Sequence, residues 1–136
     1  MTTLGFWGAK DVIGKSLSTI EPYVLKCITD VEAISIPKHQ WENISTAILS
    51  HARQTQKMMC IIRRSRVHQR LWLLLQWLAR KFGRIIEEGI LINFQITHQD
   101  LADAIGTTRI TVTKILNQLE RDDLILRPRN KCIVLL

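Results

Sequence analysis

Apolar residues recur at helical spacing in two neighbouring stretches near the C-terminal end of the chain. The first stretch carries three of them on one face: Leu101, Ala102 and Ile105. Thr97 precedes this stretch and Asp100 follows three residues later, a close variant of a capping box. Gly106 comes next, and glycine tolerates the left-handed backbone that a sharp turn needs. The pattern predicts a short helix that ends in a tight turn.

The second stretch predicts a helix over residues 108–120. Its inner face is apolar: Val112, Ile115, Leu116 and Leu119. Its outer face carries two cations, hydrogen-bonding side chains and one aliphatic, without an acid: Arg109, Ile110, Thr113, Lys114 and Asn117. Such a helix-turn-helix predicts a recognition helix that enters a DNA major groove. An ordinary helical hairpin would share the inner face, but its outer face usually mixes acids among the bases, as residues 120–123 do.

A third apolar stripe follows the alternating three- and four-residue steps of a coiled-coil seam. Its members are Trp41, Ile44, Ile48, His51, Thr55, Met58 and Ile62, and Ala47, Ala52 and Met59 widen it. The stripe predicts a long helix over residues 38–64 that pairs with a second copy in a symmetric dimer. The alternative is a helix that lies on the core of its own chain. Two polar members at the centre of the stripe weaken the dimer interpretation without excluding it.

A further helix is predicted over residues 67–82, ended by Gly83. Residues 71–79 are apolar almost all round but too short to cross a bilayer. We therefore expect this helix to be buried between the dimer helix and the C-terminal part of the chain, with Trp72 and Trp77 in the core rather than in a ligand cage.

Short strands are predicted on both sides of the helix pair. After a turn at residues 87–89, residues 90–96 alternate as a strand. Residues 124–126 and 131–136 predict a hairpin straight after the second helix, which is the wing of a winged helix-turn-helix. Three cations lie at its tip, where they could touch phosphate or be ordinary solvated turn residues: Arg127, Arg129 and Lys131.

Residues 1–37 have a different pattern, with glycine punctuation and two alternating segments, Tyr23–Cys27 and Val31–Ile36. The alternation predicts two β-strands. Because so few strands bury little apolar surface alone, we expect this segment to pack on the helices or on a partner chain.

Positive charge is concentrated in the part of the chain that holds the helix pair. The 136 residues carry a formal charge of +7, with 19 bases and 12 acids. Residues 1–37 hold three of those bases and four of the acids, so residues 38–136 hold 16 bases and eight acids. This balance suits a polyanion, although a merely soluble basic protein or attachment to an anionic membrane would also fit. With no long apolar span and no secretory signal, we expect a soluble, cytoplasmic chain.

The reactive residues form no recognisable catalytic or metal-ligating set. The cysteines and histidines are scattered: Cys27, Cys60, Cys132, His39, His51, His68 and His98. No spacing suggests a zinc site, an iron–sulfur cluster or a disulfide framework, so buried free thiols are expected and no metal or cofactor is assigned. Paired carboxylates, a nucleophile–base set and a phosphate loop are also missing, which argues against an enzyme.

The order of these elements resembles the C-terminal half of the CRP/FNR family of bacterial transcription regulators. The resemblance covers residues 38–136, and its most specific part runs from Thr97-His-Gln-Asp-Leu-Ala to Lys114-Ile-Leu, with the wing behind it. Within the family the chain looks most like the cyanobacterial global nitrogen regulators, through Gln54-Thr-Gln, Met58-Met and Lys81-Phe-Gly.

The resemblance implies an α+β fold, mainly helical: a remnant of a cyclic-nucleotide-binding β-roll (residues 1–37), a dimerisation helix (residues 38–64) and a Crp-type winged helix-turn-helix domain (residues 65–136). It also implies a homodimer on a palindromic operator of double-stranded DNA that recruits or blocks RNA polymerase. A second hypothesis is a truncated, non-sensing module that pairs with a full-length relative and modulates it.

Residue roles follow from the same resemblance. Arg109 would bind guanine O6 and N7 with its two-pronged guanidinium, Ile110 would pack on a base or thymine methyl, and Lys114 would act as a point charge. Thr113 and Asn117 complete the base-reading set. The residues expected to contact phosphate are Thr97, His98, Gln99, Thr107, Thr108, Thr111 and Arg129.

The N-terminal segment departs from the family pattern. Where cAMP binders carry a Gly-Glu pair and a downstream arginine, this chain has Gly14-Lys15 and Glu21-Pro-Tyr. Because an acid would repel the cyclic phosphate, cAMP binding is not expected. A truncated regulator, a misassigned start and a genuinely reduced sensing domain all stay open.

Overall fold

The computed structural model describes residues 2–128 and 132–136. In chain order the helices and strands are α1 (Ser45–Ile62), α2 (Val67–Phe82), β1 (Gly83–Ile86), β2 (Gly89–Ile92), α3 (His98–Ile105), α4 (Arg109–Arg121), β3 (Ile125–Leu126) and β4 (Ile133–Leu135). Two 3₁₀ segments, Lys15–Leu17 and Lys38–Ile44, precede α1. The fold is α+β and mainly helical, as predicted.

The four strands form one antiparallel sheet in the order β1-β2-β4-β3. Within the wing, Ile125 pairs with Leu135 and Leu126 with Val134, which confirms the predicted hairpin after α4. The strand predicted over residues 90–96 is shorter, since β2 ends at Ile92. Strand β1 was not predicted, and it adds an edge strand beside β2, while the pairing of β2 with β4 joins the strands before and after the helix pair into one sheet.

Gly83 ends α2 at the predicted residue, but for a reason other than a left-handed cap. Its φ is −75° and its ψ is 158°, so the chain passes directly from helix into extended strand. A Cβ at this position would lie 2.1 Å from the carbonyl oxygen of Ala79 and 2.5 Å from a methyl carbon of Ile90. Only glycine lets β1 leave the helix so closely packed against it.

Helix α2 forms the centre of the core, with the bounds that the sequence predicts. Four of its leucines are fully buried: Leu71, Leu74, Leu75 and Leu78. They pack with the inner faces of α3 and α4 and with the sheet, where Leu101, Leu116 and Ile125 are likewise fully buried. Burial of a leucine stabilises a fold by roughly 1.5–3 kcal/mol, so this helix organises the domain. Trp72 and Trp77 pack half-buried against the same core, as expected.

The single long helix predicted over residues 38–64 is wrong at its N-terminal end. Residues 38–44 form a 3₁₀ segment, and regular α-helix begins only at Ser45. The break lies at Ile44, whose φ of −117° and ψ of 20° are not helical and which offers no side-chain cap. Trp41 is held outside the helix because its indole Nε1 donates to the carbonyl of Ile36 at 3.1 Å.

The two strands predicted over residues 23–36 are also wrong. In residues 2–37 the structure forms no strand, and its one regular element there is the short 3₁₀ turn. The apolar side chains of the alternating pattern are exposed: Val24 71%, Val31 60% and Ile34 84%. Within the described residues no strand pairs with this segment, whose Lys26 side chain forms an ion pair with Asp100 of α3. The interpretation of residues 1–37 as a β-roll remnant stays a prediction from sequence.

The segment before α1 packs on the helices through its first residues. Phe6 is 8% exposed and belongs to the core. The ammonium of Lys81, at the end of α2, donates to the Phe6 carbonyl at 2.9 Å, to Asp11 Oδ2 at 2.6 Å and to the side chain of Gln54. Burial acts to raise the pKa of Asp11, but the hydrogen bonds that its carboxylate accepts from Lys81, the Gly8 N–H and Gln54 outweigh burial and hold the pKa below its ordinary value. The predicted packing of this segment on the helices is therefore confirmed.

Candidate nucleic-acid interface

Helix α3 begins at a complete capping box. The hydroxyl of Thr97 accepts from the Asp100 backbone N–H at 3.0 Å, and the Asp100 carboxylate accepts from the Thr97 N–H at 3.1 Å. Lys26 reaches the same carboxylate at 2.5 Å. Burial acts to raise the pKa of Asp100, yet the Lys26 ammonium and the Thr97 donors hold it below its ordinary value. The predicted cap is confirmed, and it fixes the direction of α3.

The turn between the two helices is fixed by backbone geometry. Gly106 has a φ of 67° and a ψ of 55°, the left-handed conformation that the sequence predicts. The N–H of Thr107 returns to the carbonyl of Ala102 at 3.0 Å. Thr108 then caps α4, because its hydroxyl accepts from the Thr111 N–H at 3.2 Å. The recognition helix therefore runs from Arg109 to Arg121, one residue later than predicted at each end.

Helix α4 separates its two faces as the sequence predicts. Val112, Leu116 and Leu119 are fully buried against the core, and Ile115 is half-buried. The opposite face presents Arg109, Ile110, Lys114 and Asn117 as exposed residues, with Thr113 half-buried beside them. Ile110 is 68% exposed. Among the described residues, neither Arg109 nor Lys114 forms an ion pair.

Thr113 joins the two helices of the motif. Its hydroxyl donates to the Arg109 carbonyl one turn earlier at 3.0 Å. The same oxygen lies 2.7 Å from Nδ1 of His98 at the start of α3. Burial, then the positive charges of Arg127 and Arg109, hold the pKa of His98 below its ordinary value of 6.5. His98 therefore braces the first turn of α4, a contact that its position in the sequence did not reveal.

Arg127 faces α4 instead of solvent at the tip of the wing. Its guanidinium donates to the Glu120 carboxylate at 2.5 Å and 3.1 Å and to Asn117 Oδ1 at 2.6 Å. The hydrogen bonds and charge of Arg127 hold the pKa of Glu120 below its ordinary value. Two of the five predicted base-reading residues, Thr113 and Asn117, thus have partners within the chain. The other predicted tip residues, Arg129 and Lys131, lie outside the described residues.

The residues predicted to contact phosphate cluster at the starts of α3 and α4. Thr97 and Gln99 are exposed on α3, and Gln99 donates to Asp103 at 2.8 Å. Thr108 is exposed and Thr111 half-buried on α4, where their hydroxyl oxygens lie 2.9 Å apart. Thr107 is half-buried in the turn. Helix N-termini carry free backbone N–H groups and a positive dipole end, which suit an anionic partner.

The predicted dimer stripe of α1 faces its own chain. Met58 is 2% exposed and belongs to the core. His51 stacks on the ring of Trp7 at a centroid distance of 4.2 Å, and its Nδ1 donates to the Val12 carbonyl at 2.8 Å. Thr55 donates back to the His51 carbonyl at 3.0 Å. The remaining members are half-buried: Trp41, Ile44, Ile48 and Ile62.

A second stripe lies one residue further along α1 and is exposed. It consists of Leu49, Ala52, Gln56 and Met59, which we call the exposed α1 stripe. Leu49 is 52% exposed and Met59 is 50% exposed. These residues also follow three- and four-residue steps, so the spacing alone cannot tell the two stripes apart.

The described residues contain no group of three or more His, Cys, Asp or Glu side chains arranged to hold a metal ion. Within the same residues, every helix is too short or too polar to cross a lipid bilayer. Cys27 and Cys60 are exposed free thiols, whereas buried thiols were expected.

The family model of the Crp-like helix-turn-helix domain matches residues 69–136, which is half of the chain. The matched stretch runs from the first turn of α2 through the wing, the same elements that form the core and the interface. The chain belongs to the CRP/FNR family.

Two curated relatives of this chain come from cyanobacteria. The regulatory protein CysR of Synechococcus elongatus is 34% identical over 124 residues, which cover 89% of this chain and 60% of CysR. The global nitrogen regulator of Synechocystis is 32% identical over 123 residues, covering 82% of this chain and 55% of that regulator. The chain thus spans between half and two thirds of the length of these relatives.

Solved structures of the CRP/FNR family share the fold. TTHB099 of Thermus thermophilus, a CRP-family transcriptional regulator, superposes with a TM-score of 0.62 at 21% identity, covering 75% of this chain and 51% of TTHB099. A variant of CooA from Carboxydothermus hydrogenoformans gives 0.60 at 20% identity, covering 71% of this chain and 46% of CooA.

Proposed function

We propose that this chain is a sequence-specific DNA-binding transcription regulator that places α4 in the major groove of its operator. The observation that carries the proposal is the outer face of α4, where Arg109, Ile110 and Lys114 are exposed and no acid lies among them. The N-terminal part of a recognition helix meets the base edges, and Arg109 and Ile110 lie in the first turn of α4 with Lys114 in the second. Family membership supports the same function.

Each exposed residue suits a different contact. Arg109 can donate two parallel hydrogen bonds to guanine O6 and N7. Ile110 has no polar atom in its side chain, so it can only pack on a base or a thymine methyl. Lys114 supplies a point charge for a base or a phosphate. Asn117 keeps only its amide N–H groups for a base acceptor, because Arg127 occupies its oxygen.

Phosphate contacts would fix the position of α4 without reading sequence. Thr97, Gln99 and Thr108 lie at the N-terminal ends of the two helices, where backbone N–H groups add to their side chains. Thr107, Thr111 and His98 lie beside them. Together these residues would hold the helix-turn-helix against the sugar–phosphate backbone of the DNA while α4 enters the major groove.

A homodimer completes the proposal, because a two-fold operator needs two recognition helices. The exposed α1 stripe supports pairing through α1: an apolar surface with coiled-coil spacing is left uncovered by its own chain. We therefore place the pairing face on the exposed α1 stripe rather than on the stripe predicted from sequence. The expected contact with RNA polymerase stays a prediction.

Selection of DNA from a randomised duplex library tests this function. The proposal predicts enrichment of an inverted repeat whose half-sites are about one helical turn apart, roughly 10 base pairs centre to centre. Affinity for that site should fall steeply with salt, because bound phosphates release counterions. Recovery of no preferred sequence would overturn specific readout. Sedimentation of the chain with the selected duplex shows whether two copies bind, and a single bound copy would favour a module that pairs with a relative instead.

A further inference from the structure

His98, Thr113 and Arg109 form a chain of hydrogen bonds from the start of α3 to the start of α4. The Thr113 hydroxyl donates to the Arg109 carbonyl at 3.0 Å and lies 2.7 Å from His98 Nδ1. A hydroxyl carries a single hydrogen, so both bonds exist together only when Nδ1 of the imidazole is the donor. Nε2 is then an acceptor in the neutral ring, and it is the only site for a second proton.

The charges that act on His98 come from two other elements and are both positive. Arg127 approaches from the segment after β3, and Arg109 from α4. Nearby acids on α3 are occupied, because Asp100 binds Lys26 and Asp103 accepts from Gln99. Glu120 of α4 is bound by Arg127 itself. Burial and the two arginines hold the pKa of His98 below its ordinary value of 6.5, which favours the neutral ring in the free protein.

We propose that His98 takes up a proton at Nε2 when the chain binds DNA, which couples operator affinity to pH. This inference rests on the proposed function, since it needs a phosphate at the start of α3. The phosphate charge would offset the two arginines that disfavour the imidazolium. The protonated ring would donate from Nε2 to the phosphate and from Nδ1 to Thr113. Phosphate binding at α3 would then brace the first turn of α4, where Arg109 meets the base.

The direction of the effect follows from the two pKa values of the ring. The pKa of His98 is lowered in the free protein and would be higher in the complex. At a pH between these two values, DNA binding therefore takes up a proton. Affinity therefore rises as the pH falls through this window, by at most about tenfold per pH unit for one proton. Above the higher pKa and below the lower one, His98 adds no pH dependence.

The matched test compares His98→Gln with His68→Gln across the pH range. Gln keeps a donor at position 98 but does not titrate, and His68 is an exposed histidine at the start of α2. Fluorescence anisotropy of the full chain with the selected duplex, between roughly pH 5.5 and 8 at constant ionic strength, gives the slope of log Kd. The inference expects a flatter slope for His98→Gln only. Equal slopes in wild type and both variants would overturn it while leaving the proposed function intact.

Nitrogen NMR of the free protein gives a readout that does not involve DNA. Above its pKa, His98 is expected to carry its hydrogen on Nδ1, the less common tautomer of free histidine, and Thr113→Val should remove that preference. A hydrogen on Nε2 in the wild-type protein would overturn the inference. Failure of the wild-type chain to bind any duplex at any pH would instead overturn the proposed function.

Discussion

The Arg127 guanidinium and the Glu120 carboxylate join the wing to the recognition helix, with Nη2 and Oε2 2.5 Å apart. The Arg127 backbone N–H donates to the same carboxylate at 3.2 Å, so the start of the loop is held as well as its side chain. Arg127 also reaches Asn117 on α4. The Arg127 side chain is 23% exposed and the Glu120 side chain 37%, so this is a partly solvated ion pair that orients the wing.

Glu120→Gln should release the wing while changing stability only modestly. A neutral amide keeps part of the geometry but loses the charge, and a partly exposed ion pair contributes roughly 0.2–1 kcal/mol. Urea denaturation measures the loss, with Glu88→Gln in the exposed β1–β2 turn as the matched control. The free energy of DNA binding should change by more than the free energy of unfolding. Without the Glu120 charge, Arg127 is no longer held in place, and its hydrogen bond to Asn117 is released as well. A variant that binds DNA with unchanged affinity would contradict this role for the pair.

Asp100→Asn should reduce the loss of stability in acid. The pKa of Asp100 is lowered in the folded chain, so its contribution is fully present above the ordinary value of 3.8 and is lost as the pH falls through the lower folded value. Asn at this position no longer titrates and loses the Lys26 ion pair. Its free energy of unfolding should therefore be lower than that of the wild type at pH 7 and converge toward it as the pH falls through the lowered pKa of Asp100 in the folded chain. If the free energies of unfolding of wild type and Asp100→Asn changed in parallel with pH, the lowered pKa of Asp100 would be contradicted.

Gly106→Ala should destabilise the fold by about 1–2 kcal/mol, and Gly106→Asn by less. The φ of 67° strains a side chain, whereas asparagine tolerates this region better. A Cβ at Gly106 would meet no atom within 4 Å, so strain alone acts. Thermal unfolding of both variants shows which substitution destabilises the fold more. If alanine were tolerated as well as asparagine, the left-handed turn would not be a constraint on the motif.

Met58 and Met59 are neighbours in the sequence, but we expect their substitution by alanine to affect different properties of the protein. Met58→Ala should lower the free energy of unfolding by about 2–5 kcal/mol, because its side chain is buried in the core. Met59→Ala should leave folding nearly unchanged but weaken self-association by roughly tenfold or more, since each dimer loses the contact twice. Circular dichroism and sedimentation at matched concentration separate the two effects. Dissociation by Met58→Ala without unfolding would restore the stripe predicted from sequence.

Elements determined by local signals could be predicted closely. The bounds of α2, the capping box at Thr97 and the left-handed Gly106 all depend on residues within a few positions of one another. The two faces of α4 follow from helical periodicity for the same reason. These short-range features are enough to define the helix-turn-helix and the face of α4 that carries the candidate interface.

Features that depend on distant contacts could not be predicted. The two stripes of α1 differ by one residue, a rotation of about 100° around the helix, and distant contacts such as the burial of Met58 and the stacking of Trp7 on His51 decide which one is covered. Alternation over residues 23–36 indicated strands, but a strand needs a partner that this segment lacks in the described fold. The pairing of Arg127 with Glu120 brings together residues that the sequence assigned to a solvated turn and a mixed-charge helix end.

The binding profile of Arg109→Ala shows whether α4 reads base sequence. Affinity is measured for the selected operator and for every single-base variant of one half-site, with Arg84→Ala on exposed β1 as the control. If Arg109 reads a base, Arg109→Ala should lose about 1–3 kcal/mol of binding free energy on the operator and lose the preference at one base position per half-site, while Arg84→Ala keeps the wild-type profile. An equal loss on every sequence, with all preferences retained, would contradict base reading by Arg109.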